Sequence, residues 1–145
     1  MNLLFICKYN RFRSKVAESY FNKINKNKKI RTQSAGIFLD NSPPNNKEIN
    51  EAKKLGIEIN TNFQGMSLRL LDWADIIIIV ADNVPKELFQ KNNESPKRII
   101  TFDITDNHKS ENEKIKKIIE KIIEKIKILS IDLNSKENDF KTSNS

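Results

Sequence analysis

The run Ile76-Ile77-Ile78-Ile79-Val80, set between Asp75 and Ala81, contains no polar residue and no alternation. A strand with one wet face alternates apolar and polar side chains. An unbroken run means that both faces are covered, as in a parallel sheet between two layers of helix. Leu3-Leu4-Phe5-Ile6 repeats the pattern near the start of the chain. Residues 30–36, ending at the glycine turn of Gly36, and Arg98–Phe102 read as two further strands. Helical spacing fills the intervals. Val16, Ala17, Tyr20, Phe21 and Ile24 mark a helix over about residues 14–26. Ile49, Ala52 and Leu55 mark a second, opened by Pro44 and stopped by Gly56. A third covers residues 67–73, with Leu68, Leu71 and Trp73 partly buried, and Pro85 opens a short one reaching about Gln90. The last, roughly residues 110–129, carries Ile115, Ile118, Ile119, Ile122 and Ile126 on one face, with Glu113 and Lys117 spaced for a salt bridge opposite. Strands alternating with helices predict a three-layer α/β/α domain with a doubly wound, four-stranded parallel sheet. The domain is expected over residues 1–130, and the polar residues 131–145 are expected to form a disordered tail.

All four strands of such a sheet aim their C-terminal ends at one rim, where sites assemble. The first strand ends there in Cys7-Lys8-Tyr9-Asn10-Arg11-Phe12-Arg13-Ser14, directly before the first helix. Backbone N–H groups at a strand-to-helix turn, together with the helix dipole, favour a bound anion. A thiol in that position, beside arginine, loses its proton easily. Arg13 offers a planar fork matched to two oxygens of a phosphate, and Ser14 can cap the helix and donate to the thiolate. The residues 8–14 are therefore the expected phosphate-binding loop, with Cys7 as nucleophile at its floor. The plain alternative is that Cys7 is an inert, buried small hydrophobe.

Composition bounds the rest. The 145 residues suffice for one domain with a sizeable core. The net charge of +7 is dispersed along the chain, not gathered into one stripe with interleaved aromatics, which argues against nucleic acid as the partner. One cysteine excludes a disulfide framework, and with a single histidine it leaves no metal-binding cluster. No cofactor is expected. A free thiol that must stay reduced points to the cytoplasm, and no apolar run approaches membrane-span length. The sequence carries no signal for an oligomeric state.

Cys7-x-x-Asn10-x-x-Arg13-Ser14 after a first strand closely resembles the low-molecular-weight protein tyrosine phosphatase family. Ser34-Ala35-Gly36 after the second strand, the helix ending in Leu55-Gly56-Ile57, the apolar strand and the loop Asp103-Ile104-Thr105-Asp106 add to the likeness. The resemblance spans roughly residues 2–128 and implies a doubly wound α/β domain that hydrolyses phosphate monoesters without metal, protein phosphotyrosine being the favoured substrate and a small phosphomonoester the other. It also implies roles: Cys7 the nucleophile, Arg13 the phosphoryl clamp, Asn10 the residue holding the loop's shape, Ser14 the thiolate partner, and an aspartate the general acid. Asp103 and Asp106 both stand on the acid-bearing loop. Asp106 is favoured because it lies farther out and its nine-residue spacing to Ile115 resembles the family's. The chain departs from the family in having Tyr9 for glycine, Phe12 where a second cysteine is common, and Asn107-His108 after the acid, where His108 offers a second proton carrier. Two other readings remain: an arsenate reductase relying on an external thiol, since no further cysteine exists to relay oxidation, and a phospho-ligand binding module without turnover.

Overall fold

A computed structural model describes residues 1–40, 42–90, 98–106 and 111–143, with 136–143 as backbone only. Four strands, β1 (Asn2–Cys7), β2 (Arg31–Gly36), β3 (Ile76–Val80) and β4 (Arg98–Phe102), form one sheet in the order β2-β1-β3-β4. Every pairing is parallel: Cys7 lies opposite Gly36, Phe5 opposite Ser34 and Ile78, and Ile79 opposite Thr101. Both apolar runs thus occupy the central strands, and all five residues of β3 are buried.

Alternate side chains of these strands feed two separate cores. Leu3, Phe5, Ile76, Ile78 and Val80 face α1 (Arg13–Ile24), α2 (Asn46–Lys54) and α4 (Asn112–Ser143), meeting Val16, Phe21, Ala52, Ile119 and Ile122. Leu4, Ile6, Ile77 and Ile79 face the other way, toward α3 (Leu68–Trp73) and a 3-10 turn, Lys86–Phe89. This is the doubly wound, three-layer α/β/α arrangement. Phe5 and Phe21 pack with ring centroids 6.0 Å apart and planes tilted by 50°, one of the favoured aromatic geometries.

Several boundaries differ from expectation for local reasons. Pro44 does not open α2. Asn45 caps it, accepting from the Glu48 N–H while the Glu48 carboxylate accepts from the Asn45 N–H, a reciprocal capping box. In α3 the Ser67 hydroxyl takes the cap, Leu70 is the buried residue and Leu68 stays 74% exposed. On α4 the ion pair on the outer side is Lys116–Glu120 at 4.0 Å rather than Glu113–Lys117.

The largest difference lies at the C-terminal end. The polar composition from Asp132 suggests a disordered tail, but α4 continues to Ser143. Leu129 and Leu133 extend the buried stripe of Ile115, Ile119, Ile122 and Ile126 by two more turns, and Asp132 meets Arg98 of β4 at 3.2 Å. Burying a leucine side chain contributes roughly 1.5–3 kcal/mol, enough to hold a turn whose other residues are polar. The folded unit therefore passes residue 130. Ser110, where the last helix is expected to begin, lies outside the described residues.

Candidate active site

β1 ends at Cys7, and α1 starts at Arg13 with Phe12 before it, so the loop between them closes over the amino end of a twelve-residue helix. The first-turn N–H groups of a helix have no intrahelical acceptors, so that end presents unsatisfied donors to the loop. Asn10 turns the loop with a φ of 57°, the left-handed region that asparagine tolerates better than most side chains. Its side chain, wholly buried, fixes that turn. The amide nitrogen donates to the Ser14 and Ser34 hydroxyls, both at 2.9 Å, and the amide oxygen accepts from the Gln64 N–H at 3.1 Å. Gly36 lies against the back of the loop; a Cβ there would stand 2.5 Å from the Tyr9 carbonyl carbon and 2.6 Å from the Asn10 nitrogen.

The network has a direction. Ser34 gives its hydroxyl proton to the Glu18 carboxylate at 2.9 Å, so it receives from Asn10. Ser14 also receives from Asn10 and lies 3.1 Å from Cys7 Sγ, so it can donate its proton to the sulfur once the thiol is ionised. Ser14 therefore serves the sulfur and not the helix end: α1 has no side-chain cap.

Arg13 is buried, and its guanidinium is fastened by residues that follow β3 and β4. One terminal nitrogen donates to the Ile104 carbonyl at 2.9 Å, the other to Asn83 Oδ1 at 3.1 Å, with Asp82 at 3.7 Å and Asp106 at 4.0 Å. A guanidinium has five N–H donors, so others stay available to an oxyanion. Cys7, Tyr9, Arg11, Phe12, Arg13, Glu48 and Asp106 line one pocket. The structure thus brings Cys7, Arg13 and Asp106 together. Asp103 is not among the lining residues, and its backbone carbonyl takes the Lys121 ammonium at 2.7 Å. Asn10 and Ser14 lie beneath the pocket, within the network. Lys8 folds over the Tyr9 ring from one side, and Arg11 covers the same ring, each 5.2 Å from its centroid. Arg11 also faces Asp40 at 3.9 Å, whose carboxyl is held below the ordinary carboxylate range by the Ser42 hydroxyl and N–H and by Arg11. Asn107 and His108 lie outside the described residues.

Four contributors escape sequence reasoning. Asp82, Asn83 and the Ile104 carbonyl hold Arg13 from loops 69 to 91 residues away, and no local pattern announces that. Lys15 is the fourth. It follows Arg13 and Ser14 at the start of α1 and is 2% exposed, its ammonium bonded to Asn60 Oδ1 at 2.7 Å and to the Asn62 carbonyl. Burial pushes this ammonium below the ordinary lysine range, while Glu18 and Cys7 pull it back. Among the described residues no group of three or more His, Cys, Asp and Glu side chains could hold a metal ion, and no helix is long and apolar enough to cross a membrane.

The sequence matches the model of the low molecular weight phosphotyrosine protein phosphatase family over residues 2–138. The fold is similar to that of the YwlE arginine phosphatase from Geobacillus stearothermophilus, with a TM-score of 0.83 at 19% identity over 95% of this chain and 96% of that one. It is similar also to the low molecular weight protein tyrosine phosphatase from T. tengcongensis (TM-score 0.77, 27% identity, 89% and 97% covered). The arsenate reductase from Archaeoglobus fulgidus shares the fold at a TM-score of 0.69 and 19% identity, with 88% and 98% covered. No curated protein sequence matches. Because the family model takes in the strand, the cysteine loop, the acid-bearing loop and most of the last helix, the chain belongs to the low molecular weight phosphotyrosine protein phosphatase family and is a phosphatase-type enzyme.

Proposed function

We propose that the protein hydrolyses phosphate monoesters, with protein phosphotyrosine as the substrate, through a cysteinyl-phosphate intermediate formed on Cys7 and without metal. The observation that carries the reading is the pairing of Cys7 Sγ with the Ser14 hydroxyl at 3.1 Å, beside a guanidinium already fixed in place. A hydrogen bond to the charged form of a thiol favours that form. In the first step the Cys7 thiolate attacks phosphorus, the sulfur–phosphorus bond forms, and the bond to the leaving oxygen breaks as Asp106 supplies its proton. In the second, Asp106 takes a proton from water, whose oxygen displaces Cys7 and releases phosphate. Arg13 and the loop N–H groups of residues 8–14 hold the equatorial oxygens throughout, where charge is greatest in the transition state.

Two features favour an aryl ester. Tyr9 lies on the pocket wall with Phe38 beside it, ring centroids 6.2 Å apart, an aromatic pair that a phenol ring can lie against where Lys8 and Arg11 leave it open. Arg11, on the same wall, opposes a cationic leaving group such as the guanidinium of phosphoarginine. Turnover of a phosphotyrosyl peptide, a phosphoarginyl peptide and an alkyl phosphate, measured with a chelator present, tests both points; arsenate with several thiols is run beside them. The phosphotyrosyl peptide is expected to give the highest kcat/KM. Cys7→Ser is expected to lose turnover and still bind vanadate. Full activity in Cys7→Ser, or loss of activity on chelation, refutes the mechanism. A phosphoarginyl preference refutes the substrate assignment alone.

A further inference from the structure

Lys15 stands outside the pocket, yet it is more deeply buried than Arg13, and ionised lysines are almost never buried without a purpose-built set of partners. Its partners both belong to the segment that follows α2. Asn60 Oδ1 and the Asn62 carbonyl accept from the ammonium, and the Phe63 ring lies 5.3 Å from it. Two residues on, the Gln64 N–H donates to Asn10 Oδ1, the Gln64 side chain donates to the Ser34 carbonyl at 2.9 Å, and the Gln64 carbonyl accepts from the Gly36 N–H at 2.9 Å. The segment 60–64 therefore bridges α1 to the back of the phosphate-binding loop, and Lys15 is its anchor on the α1 side. Glu18, on its own helix, favours the charged form of the ammonium.

We propose that Lys15 is a positioning residue for the reaction, tying segment 60–64 to α1 so that Gln64 holds Asn10 in its left-handed turn. Without the tether, the Asn10 amide loses its fixed acceptor geometry, and with it the donor that orients Ser14 toward sulfur. The inference rests on Cys7 being the nucleophile, but its test does not require turnover.

Three variants test the tether, each read by the rate of Cys7 alkylation with iodoacetamide and by hydrogen exchange at the Gln64 amide. Lys15→Met removes both hydrogen bonds, so Gln64 protection is expected to fall and alkylation to slow about 3- to 10-fold, as for a weakened hydrogen bond to the sulfur. Lys15→Gln, one bond too short to span both acceptors, is expected to show a smaller loss of the same kind, and serves if the methionine variant fails to fold. Lys15→Arg keeps a cationic donor for Asn60 and the Asn62 carbonyl and is expected to restore both readouts. Wild-type Gln64 protection in Lys15→Met overturns the proposal, and so does wild-type alkylation beside lost protection. Inactivity of the wild-type enzyme on every phosphate ester, with these thiol responses intact, would instead count against the phosphatase mechanism.

Discussion

Replacing Gly36 by alanine tests how tightly the phosphate-binding loop is held from behind. The backbone of Gly36 is ordinary strand, paired with Cys7 in the sheet, so alanine meets no torsional objection. The obstacle is space. The added Cβ would lie 2.5 Å from the Tyr9 carbonyl carbon, 2.6 Å from the Asn10 nitrogen and 2.8 Å from the Tyr9 Cα, all backbone atoms. Two carbons rest at about 3.5 Å, so the loop must retreat by roughly 1 Å. Overpacking of this kind costs about 1–3 kcal/mol in stability, and a misplacement of about 1 Å in a reacting group costs on the order of 100-fold in rate. Gly36→Ala is therefore expected to unfold at lower urea with an unchanged slope, and to lose about 100-fold in kcat/KM on nitrophenyl phosphate. Gly65→Ala is the control, since its Cβ would meet only the Leu39 Cβ at 3.5 Å, an ordinary contact. A Gly36→Ala enzyme within twofold of wild type would show that the loop is not braced by β2, and that its shape is set by the Asn10 bonds alone.

Other outcomes follow from the same geometry. Asp106→Asn is expected to slow an alkyl or phenyl phosphate by about 10²–10⁴-fold but an activated nitrophenyl ester much less, while Asp103→Asn affects all esters about equally; leaving-group dependence in Asp103→Asn alone would make Asp103 the acid. Combining Asp106→Asn with His108→Ala shows whether the imidazole carries any of the residual proton transfer. Because Cys7 is the sole cysteine, brief peroxide treatment should be reversed only by added thiol, and mass spectrometry of the monomer should show sulfenic, sulfinic and sulfonic forms; complete recovery without thiol would contradict this. Leu133→Ala should lower stability by about 2–5 kcal/mol, as for a buried core leucine; a wild-type melting curve would mean that the last turns of α4 contribute nothing.

What the sequence reveals and hides divides by range. Ile76–Val80 and Leu3–Ile6 disclose a parallel sheet because burial on both faces leaves no choice of side chain. Cys7, Asn10, Arg13 and Ser14 are legible because a strand, a tight loop and a helix N-terminus follow one another without interruption. Asp82 and Asn83 are not, since they reach Arg13 only after the sheet forms. Lys15 and Glu18 look like solvated helix charges, and nothing local reveals that the segment 60–64 covers one and Ser34 engages the other. The end of α4 was obscured by composition: Leu133 continues the apolar period, but lysine, glutamate and asparagine around it outweigh one leucine in any window.

The placement of β1 has a consequence for how the enzyme comes into being. Of the four strands, the one made first is an interior strand, and its partner β3 is synthesised some 70 residues later. Until then Leu3, Phe5, Val16 and Phe21 have no complete cover, and the stripe of α4 that closes over them arrives after all four strands. The Ile104 carbonyl that steadies Arg13 lies 91 residues beyond it. A nascent chain therefore carries its thiol for most of its synthesis without the machinery around it, and its longest-exposed surface is an aggregation-prone one. Chains cut before Ile104 therefore lack both the carbonyl that steadies Arg13 and the helix that covers the core.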